Sequence, residues 1–173
     1  LGERYSRIFS EKDVDRHLAA LGRLSPPRPV EILLDPRRDG TLDCTVLAFD
    51  YPSEFSLITG ILAGMGFSTV SGEVFTDEGI PQTVAKRKRR DKEDLGKRRR
   101  IIDHFSGVVD TPLPFETWSE ELRSRMEAAI GLLEKGDEPS ITEAKQQVNE
   151  LVVRRLAPLH QGSYPVPFPV EIQ

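Results

Sequence analysis

Residues 42–78 have the sequence LDCTVLAFDYPSEFSLITGILAGMGFSTVSGEVFTDE, which predicts a strand, a sharp turn, a helix, a second turn and a second strand. Residues 45–49 are apolar and rich in β-forming side chains, as expected of a buried strand. Pro52 ends this strand and has a φ angle suited to the first position of a helix. Asp50 or Tyr51 is the expected entry to this helix. The chain is therefore expected to pass directly from the strand into the helix at this turn.

The residues after this turn predict a helix with one apolar face. Apolar side chains recur there at spacings of three and four residues: Phe55, Ile58, Ile61, Leu62 and Met65. Gly64 and Gly66 end the helix, and Gly66 suits the left-handed conformation of a helix terminus. Residues 70–75 then alternate approximately between apolar and polar side chains, which predicts the second strand.

Further strands are predicted on both sides of this unit. Residues 30–34 predict a strand that forms a hairpin with residues 44–50, because turn-forming residues occupy positions 35–40. Residues 99–109 predict another strand, with Gly107 as a candidate β-bulge. The β-rich segments therefore extend well beyond the central strand–helix–strand unit.

Helices are predicted towards both ends of the chain. Residues 1–24 predict a helical lead-in, in which Ser10 is a good N-cap. Residues 115–135 predict a strong amphipathic helix with a capping box that starts at Thr117. Another helix is predicted to start at Ser140, and the short connection between these two helices indicates an antiparallel pair.

The composition is typical of a globular protein with a large solvated surface, since 38% of the 173 residues are apolar and 30% are charged. No apolar run approaches the ~20 residues that span a bilayer, and no signal peptide is visible. The single cysteine, Cys44, excludes an internal disulfide and a cysteine-cluster metal site. These features predict a cytoplasmic protein. The start at Leu1 and the strand-like ending at residues 169–173 predict a fragment of a longer chain.

The pattern Asp50-x-Pro52-x-x-Phe55-x-x-Ile58-x-x-x-Leu62-x-x-x-Gly66-Phe67 resembles the opening βαβ unit of an ACT domain, a small ligand-binding regulatory module. Residues 3–21, ERYSRIFSEKDVDRHLAAL, resemble the helical linker before the ACT repeats of the bacterial enzymes that uridylylate the PII nitrogen-signalling protein. Glutamine-synthetase adenylyltransferases are similar in layout. One departure is Ser53, which stands where ligand-binding ACT domains usually have a glycine after the proline.

The resemblance implies an α+β fold, with a ferredoxin-like βαββαβ sheet, helices on one face, an N-terminal helical linker and an extra C-terminal helix. In this interpretation residues 1–29 are the linker and a proline-rich connector. Residues 30–135 are an ACT-like domain with a basic insertion at 86–100. Residues 136–173 are a C-terminal helix and an extended tail. The tail repeats an earlier Pro-Val-Glu-Ile sequence, and it is either the last strand of this domain or the start of a second ACT unit.

The turn after the first core strand is the predicted ligand site. At a helix N-terminus, unpaired backbone N–H groups and the helix dipole favour the binding of a carboxylate. The resemblance implies that a small amino acid, such as glutamine, binds there, often across a dimer interface. The predicted site consists of the turn and a facing wall: Asp50, Tyr51, Pro52, Ser53, Glu54, Phe55, Gly64, Met65, Gly66 and Phe67. In the alternative interpretation, Asp50 is only a helix cap and Pro52 only a helix starter.

Residues 86–100 contain ten of the 24 basic residues and predict a long, solvated loop. The alternative is a contact with an acidic protein surface or with another domain of a parent enzyme. Nucleic acid is the least favoured partner, because the run contains no aromatic side chain on which bases could stack.

The remaining polar motifs predict structural roles. Asp103 and His104 are adjacent, and in a strand their side chains point to opposite faces, which argues against a catalytic pair. His17 lies beside an apolar helix stripe and is predicted to be a packing or surface residue. The chain has no Gly-Ser sequence followed by Asp-x-Asp, which is the signature of nucleotidyl transfer, and it has no P-loop and no serine nucleophile elbow. No catalytic residue, metal or cofactor is therefore predicted for this chain.

The resemblance implies a non-catalytic regulatory module of a larger nitrogen-metabolism nucleotidyltransferase, either a uridylyltransferase or an adenylyltransferase. Such a module would sense a small amino acid such as glutamine, form a homodimer through its sheet, and act allosterically on the other domains of the parent enzyme. The alternative is a ligand-independent module for dimerisation and docking. No membrane partner is predicted.

Overall fold

The computed structural model describes residues 2–77 and 98–157. The strands are β1 (Val30–Pro36), β2 (Leu42–Phe49), β3 (Phe67–Asp77) and β4 (Arg100–Val109). The helices are α1 (Gly2–Ile8), α2 (Glu11–Leu21), α3 (Glu54–Gly64), α4 (Phe115–Lys135) and α5 (Glu138–Leu156). The strands form one antiparallel sheet in the order β1-β2-β4-β3, so the predicted α+β class is confirmed. In these two ranges, no helix has the combination of length and apolar character needed to cross a bilayer.

The predicted hairpin between β1 and β2 is present. Val30 pairs with Ala48 and Pro36 pairs with Leu42. The turn is closed by Arg37, whose backbone N–H donates to the Thr41 carbonyl oxygen at 2.8 Å. β4 lies between β2 and β3 and is antiparallel to both, so α3 crosses over β4 on the path from β2 to β3.

The irregularity in the β3–β4 ladder lies in β3, so the predicted bulge at Gly107 is wrong. The register shifts between Thr69 and Ser71, which leaves Val70 without a partner in the ladder. Gly107 has a different role, because a Cβ atom there would lie 2.7 Å from the ring of Phe67. The absent side chain makes room for this buried aromatic ring.

One face of the sheet is covered by α3, α4 and α5. Alternate residues of β2 point into this core: Leu42, Cys44, Val46 and Ala48. Trp118 of α4 is fully buried, and its Nε1 donates to the Met65 carbonyl oxygen at 2.8 Å. α3 also approaches α5 closely, since a Cβ atom at Gly64 would lie 2.6 Å from Cγ of Leu151.

The opposite face of the sheet is covered by α1 and α2, so the prediction of helices on one face only is corrected. The two helices and the connection between them form an apolar cluster with β2, β3 and β4: Tyr5, Phe9, Leu21, Leu47, Phe75 and Ile102. The physical reason is that β2 is buried along its whole length, so its second set of alternate residues also needs cover. Ser10 caps α2 as predicted, by accepting a hydrogen bond from the Asp13 backbone N–H at 3.3 Å.

The first C-terminal helix begins at Phe115, as predicted, and the second begins at Glu138, two residues before the predicted start at Ser140. α4 begins at Phe115 after Pro114, and no side chain caps it, so the capping box at Thr117 is wrong. The fixed φ angle of Pro114 is already helical, which allows the helix to begin at the next residue without a side-chain cap. Asp137 caps α5, because its Oδ1 accepts from the Ser140 backbone N–H at 2.9 Å. As predicted, α4 and α5 are consecutive helices that pack against each other.

Two predictions fall on parts of the chain outside the described residues. Most of the basic run at 86–100 lies there, since the description resumes at Arg98. The repeated Pro-Val-Glu-Ile sequence near the C-terminus also lies there.

Candidate functional site

A cleft of about 360 Å³ lies between the N-terminus of α3 and the strands β3 and β4. We call it the α3 cleft. It is lined by the predicted turn on one side and by the sheet on the other: Asp50, Tyr51, Ser53, Glu54, Phe55, Ser56, Val74, Thr76, Ile101 and Asp103. The cleft therefore forms around the turn that the sequence singled out as a ligand site.

The turn before α3 places Glu54 at the first helical position. The helix begins there after Ser53, so the prediction of Pro52 as the helix start is wrong. Ser53 has a φ angle of 70°, a left-handed conformation that favours glycine. The backbone at Ser53 therefore has a conformation that glycine adopts more readily than serine.

The carboxylate of Glu54 bonds to the same turn. Its Oε2 accepts from the Tyr51 backbone N–H at 3.3 Å, and the Glu54 backbone N–H donates to the Tyr51 carbonyl oxygen at 3.2 Å. Glu54 is only 4% exposed, and its Oε1 has no hydrogen-bond partner among the described residues. Burial raises the pKa of Glu54 to about 8, and the negative charges of Asp103 and Asp50 act in the same direction.

Asp103 contributes a second buried carboxyl group from the sheet side. In β4 it pairs with Val46 and Val74, and it is 2% exposed. Its Oδ1 makes no hydrogen bond within the described ranges. Burial raises the pKa of Asp103 to about 7, with a further contribution from Asp50.

The cleft is acidic. Three carboxyl groups line it, and the part of the chain that the structure describes contributes no basic side chain to its lining. Arg99 lies beside the cleft, with its Nε 3.7 Å from Oδ2 of Asp50 at the exposed edge. A ligand carboxylate would thus meet like charges, whereas an ammonium or amide N–H group would meet acceptors.

An aromatic and charged cluster fixes one wall of the cleft. The Tyr51 hydroxyl donates to Glu134 near the end of α4, and Arg98 bonds to both Glu134 oxygens at 3.0 and 2.9 Å. The Arg98 guanidinium also lies 4.1 Å from the ring centroid of Phe49. The Tyr51–Glu134 hydrogen bond joins the turn to α4, and the bidentate ion pair joins Arg98 to the same carboxylate.

The structure brings together one half of the predicted site. Five of the six predicted turn residues line the cleft, and Pro52 belongs to the turn but not to the lining. The predicted facing wall, residues 64–67, lies at the opposite end of α3. There Gly66 approaches Asp110 so closely that a Cβ atom would collide with the Asp110 carbonyl oxygen, and Phe67 is 2% exposed. A role for residues 64–67 across a dimer interface stays a prediction.

Sequence reasoning missed Asp103 as a residue of the site. The expectation that Asp103 and His104 point to opposite faces is confirmed, because Asp103 lines the α3 cleft and His104 bonds Thr45 on the α1–α2 side. A usable signal was present in the sequence: Asp103 stands between Ile101 and Phe105 at spacings of two. A carboxyl group in the apolar register of a strand is a candidate buried acid.

The histidines of the α1–α2 side have packing roles. His17 is 3% exposed, as the packing prediction requires, and its Nδ1 lies 2.6 Å from the Tyr5 hydroxyl. Nδ1 of His104 lies 2.9 Å from the Thr45 hydroxyl. Burial lowers the pKa of both histidines. Across residues 2–77 and 98–157, no group of three or more His, Cys, Asp or Glu side chains is arranged to hold a metal ion.

Neither the protein-family models nor the curated proteins compared with this chain match it.

Proposed function

We propose that the chain is a non-catalytic, ACT-like regulatory module of a larger nitrogen-metabolism nucleotidyltransferase, and that it binds a small amino acid such as glutamine in the α3 cleft. One observation carries the proposal. A cleft of about 360 Å³ lies at the turn that bears the ACT-like motif, and its size is typical of small-molecule sites.

The order of the elements supports a ferredoxin-like arrangement. β2, α3, β3, β4 and α4 follow one another as the first five elements of a βαββαβ unit do, with β4 between β2 and β3. β1 lies on the free side of β2, where a ferredoxin-like sheet has its last strand. In this proposal β1, which precedes the unit in sequence, takes the place of that last strand.

The wall formed by Tyr51 supports a regulatory role. Tyr51 lines the cleft and bonds Glu134 on α4, so a molecule that displaces Tyr51 would also move the helical layer. Regulation requires that the ligand bind two states of the parent enzyme with different affinity. In this proposal, the bond between the turn and α4 is the element that differs between those states.

A thermal-shift screen of the 173-residue chain against the twenty amino acids, with glutamine titrated, tests the proposal. A ligand at 100 times its Kd stabilises the folded state by about 2.7 kcal/mol. For a domain of this size that is a Tm increase of roughly 5–10 °C. Ser53→Gly is the matched variant, because it relieves the left-handed serine and clears space at the turn. A flat screen for both proteins would refute amino-acid binding.

A second candidate is a ligand-independent dimerisation and docking module. β3 is an edge strand, and its Val70 and Val74 are 76% and 48% exposed. Exposed apolar residues on an edge strand favour pairing with another chain. Sedimentation at several protein concentrations tests this function. A dimer whose dissociation constant is unchanged by added amino acids would support it, and a monomer at high protein concentration would contradict it.

A further inference from the structure

We propose that the α3 cleft holds the ammonium group of its ligand between Asp103 and Glu54, and that it therefore selects molecules with a free primary ammonium group. The inference rests on the proposed function in placing an amino acid in the cleft. It reverses the orientation that the motif alone suggested, because the inserted end is the ammonium group instead of the carboxylate.

The two buried acids of the cleft are costly to the fold. Asp103 and Glu54 are 2% and 4% exposed, and each keeps one carboxyl oxygen without a hydrogen-bond partner among the described residues. A buried unsatisfied polar group is rare in native structures and destabilises the fold. Two such groups in one cleft, one from α3 and one from β4, indicate acceptors arranged for a donor from outside the chain.

The described part of the chain does not supply that donor. Arg98 bonds both carboxyl oxygens of Glu134 and stacks on Phe49. Arg99 lies beside Asp50, and its side chain is 60% exposed. A primary ammonium group has three N–H donors and no acceptor, so in this proposal one ammonium group donates to both acids.

The residues that line the cleft also determine the orientation in which a ligand would bind. The acids occupy the buried part of the cleft, whereas Phe55 and Val74 are 50% and 48% exposed at its rim. An ammonium group would thus enter first, and the rest of the molecule would extend along the apolar rim towards solvent. A carboxylate on the same molecule would then lie away from the two acids.

Binding of an ammonium group is expected to release protons. Burial raises the pKa of Asp103 to about 7 and that of Glu54 to about 8, so both are partly protonated near neutral pH. Asp50, which follows β2, faces both Asp103 and Glu54 with its negative charge. The Arg99 side chain lies beside Asp50. A cation stabilises the ionised acids, so affinity should increase with pH. The limit is about tenfold per pH unit for each proton released.

Isothermal titration calorimetry of the 173-residue chain at pH 6 and pH 8 tests the inference. The probes are the twenty amino acids, N-acetyl derivatives of those that bind, and n-butylamine as an ammonium without a carboxylate. We expect N-acetylation to weaken binding roughly 10- to 100-fold, as loss of a charge-assisted hydrogen bond would. We also expect weaker binding at pH 6 than at pH 8, with proton release seen as a dependence of heat on the buffer.

The outcomes separate this inference from the proposed function. Equal binding of an amino acid and its N-acetyl derivative would overturn the ammonium site and leave amino-acid sensing intact. Binding of n-butylamine without any amino acid would support the ammonium site and overturn amino-acid sensing. If neither the amino acids nor n-butylamine bind at 50 mM or so, both proposals fail.

Asp103→Asn is the variant that tests the residue, because it keeps the shape and removes the charge. It should weaken binding of the amino acid or amine roughly tenfold or more and remove most of the proton release. Asp15→Asn is the matched control, since Asp15 is exposed on α2 and far from the cleft lining. Unchanged affinity and proton release in folded Asp103→Asn would overturn the role of Asp103.

Discussion

Asp103→Asn is expected to stabilise the fold at neutral and alkaline pH. The folded-state pKa of Asp103 is about 7, whereas the ordinary value is 3.8. The folded state therefore binds a proton more tightly than the unfolded state does, and stability is lost as the pH rises from about 4 through 7. This difference corresponds to roughly 4 kcal/mol above pH 7, as an upper bound. Asparagine resembles the protonated acid, so it avoids that loss.

We expect a gain of about 2–4 kcal/mol for Asp103→Asn at pH 8, because relaxation around a buried charge reduces the upper bound. The gain should shrink by roughly 2 kcal/mol when the pH is lowered to 5, where the wild-type side chain is protonated in the folded state. Urea unfolding measures both values, with Trp118, the single and fully buried tryptophan, as the fluorescence probe. Asp15→Asn serves as the control and should leave stability nearly unchanged at both pH values.

Two results would refute this reasoning. One is a loss of stability in Asp103→Asn at pH 8, which would mean that the wild-type carboxylate has a partner that favours its charge. The other is a gain that is the same at pH 5 and pH 8, which would separate the effect from the ionisation of Asp103. If Asp103→Asn is more stable at pH 8 and also binds the ligand more weakly, Asp103 contributes to ligand binding and destabilises the fold.

The remaining predictions concern the backbone and the histidines. Gly66→Ala should destabilise the fold by more than about 2 kcal/mol, because φ is 80° there and a Cβ atom would collide with the Asp110 carbonyl oxygen. Gly131→Ala is the matched control, since a Cβ atom at this position in α4 meets nothing within 4 Å, and it should stabilise by about 0.5–1 kcal/mol in thermal unfolding. Burial lowers the pKa of His17 and His104, so their contribution to stability is complete above the ordinary pKa of 6.5 and is lost as the pH falls below it. His17→Gln combined with His104→Gln should flatten this acid-side loss in urea unfolding between pH 7.5 and 5, and an unchanged slope would contradict it.

The α3 cleft shows how far the sequence determined the candidate site. The break at Asp50 and Pro52 located the turn, and five of the six predicted turn residues line the cleft. Asp103 joins them from the middle of β4, about fifty residues further along the chain. Strand alternation predicted that Asp103 and His104 face opposite ways, but not which face meets α3. The acidic character of the cleft therefore follows from the strand pairing in the tertiary structure and could not be predicted from the sequence.

The sequence by itself determined which segments are helices and strands, but not all of their ends, because periodicity and turn residues are local properties of the chain. Residues 42–78 predicted the βαβ segment, and the turn-forming residues at 35–40 predicted the hairpin of β1 and β2. Only the tertiary structure decided the strand order, the cover of both sheet faces and the meeting of Asp103 with Glu54. These features depend on contacts between residues far apart in sequence. Each strand face becomes buried only when another element packs on it, and no local pattern specifies which element that is.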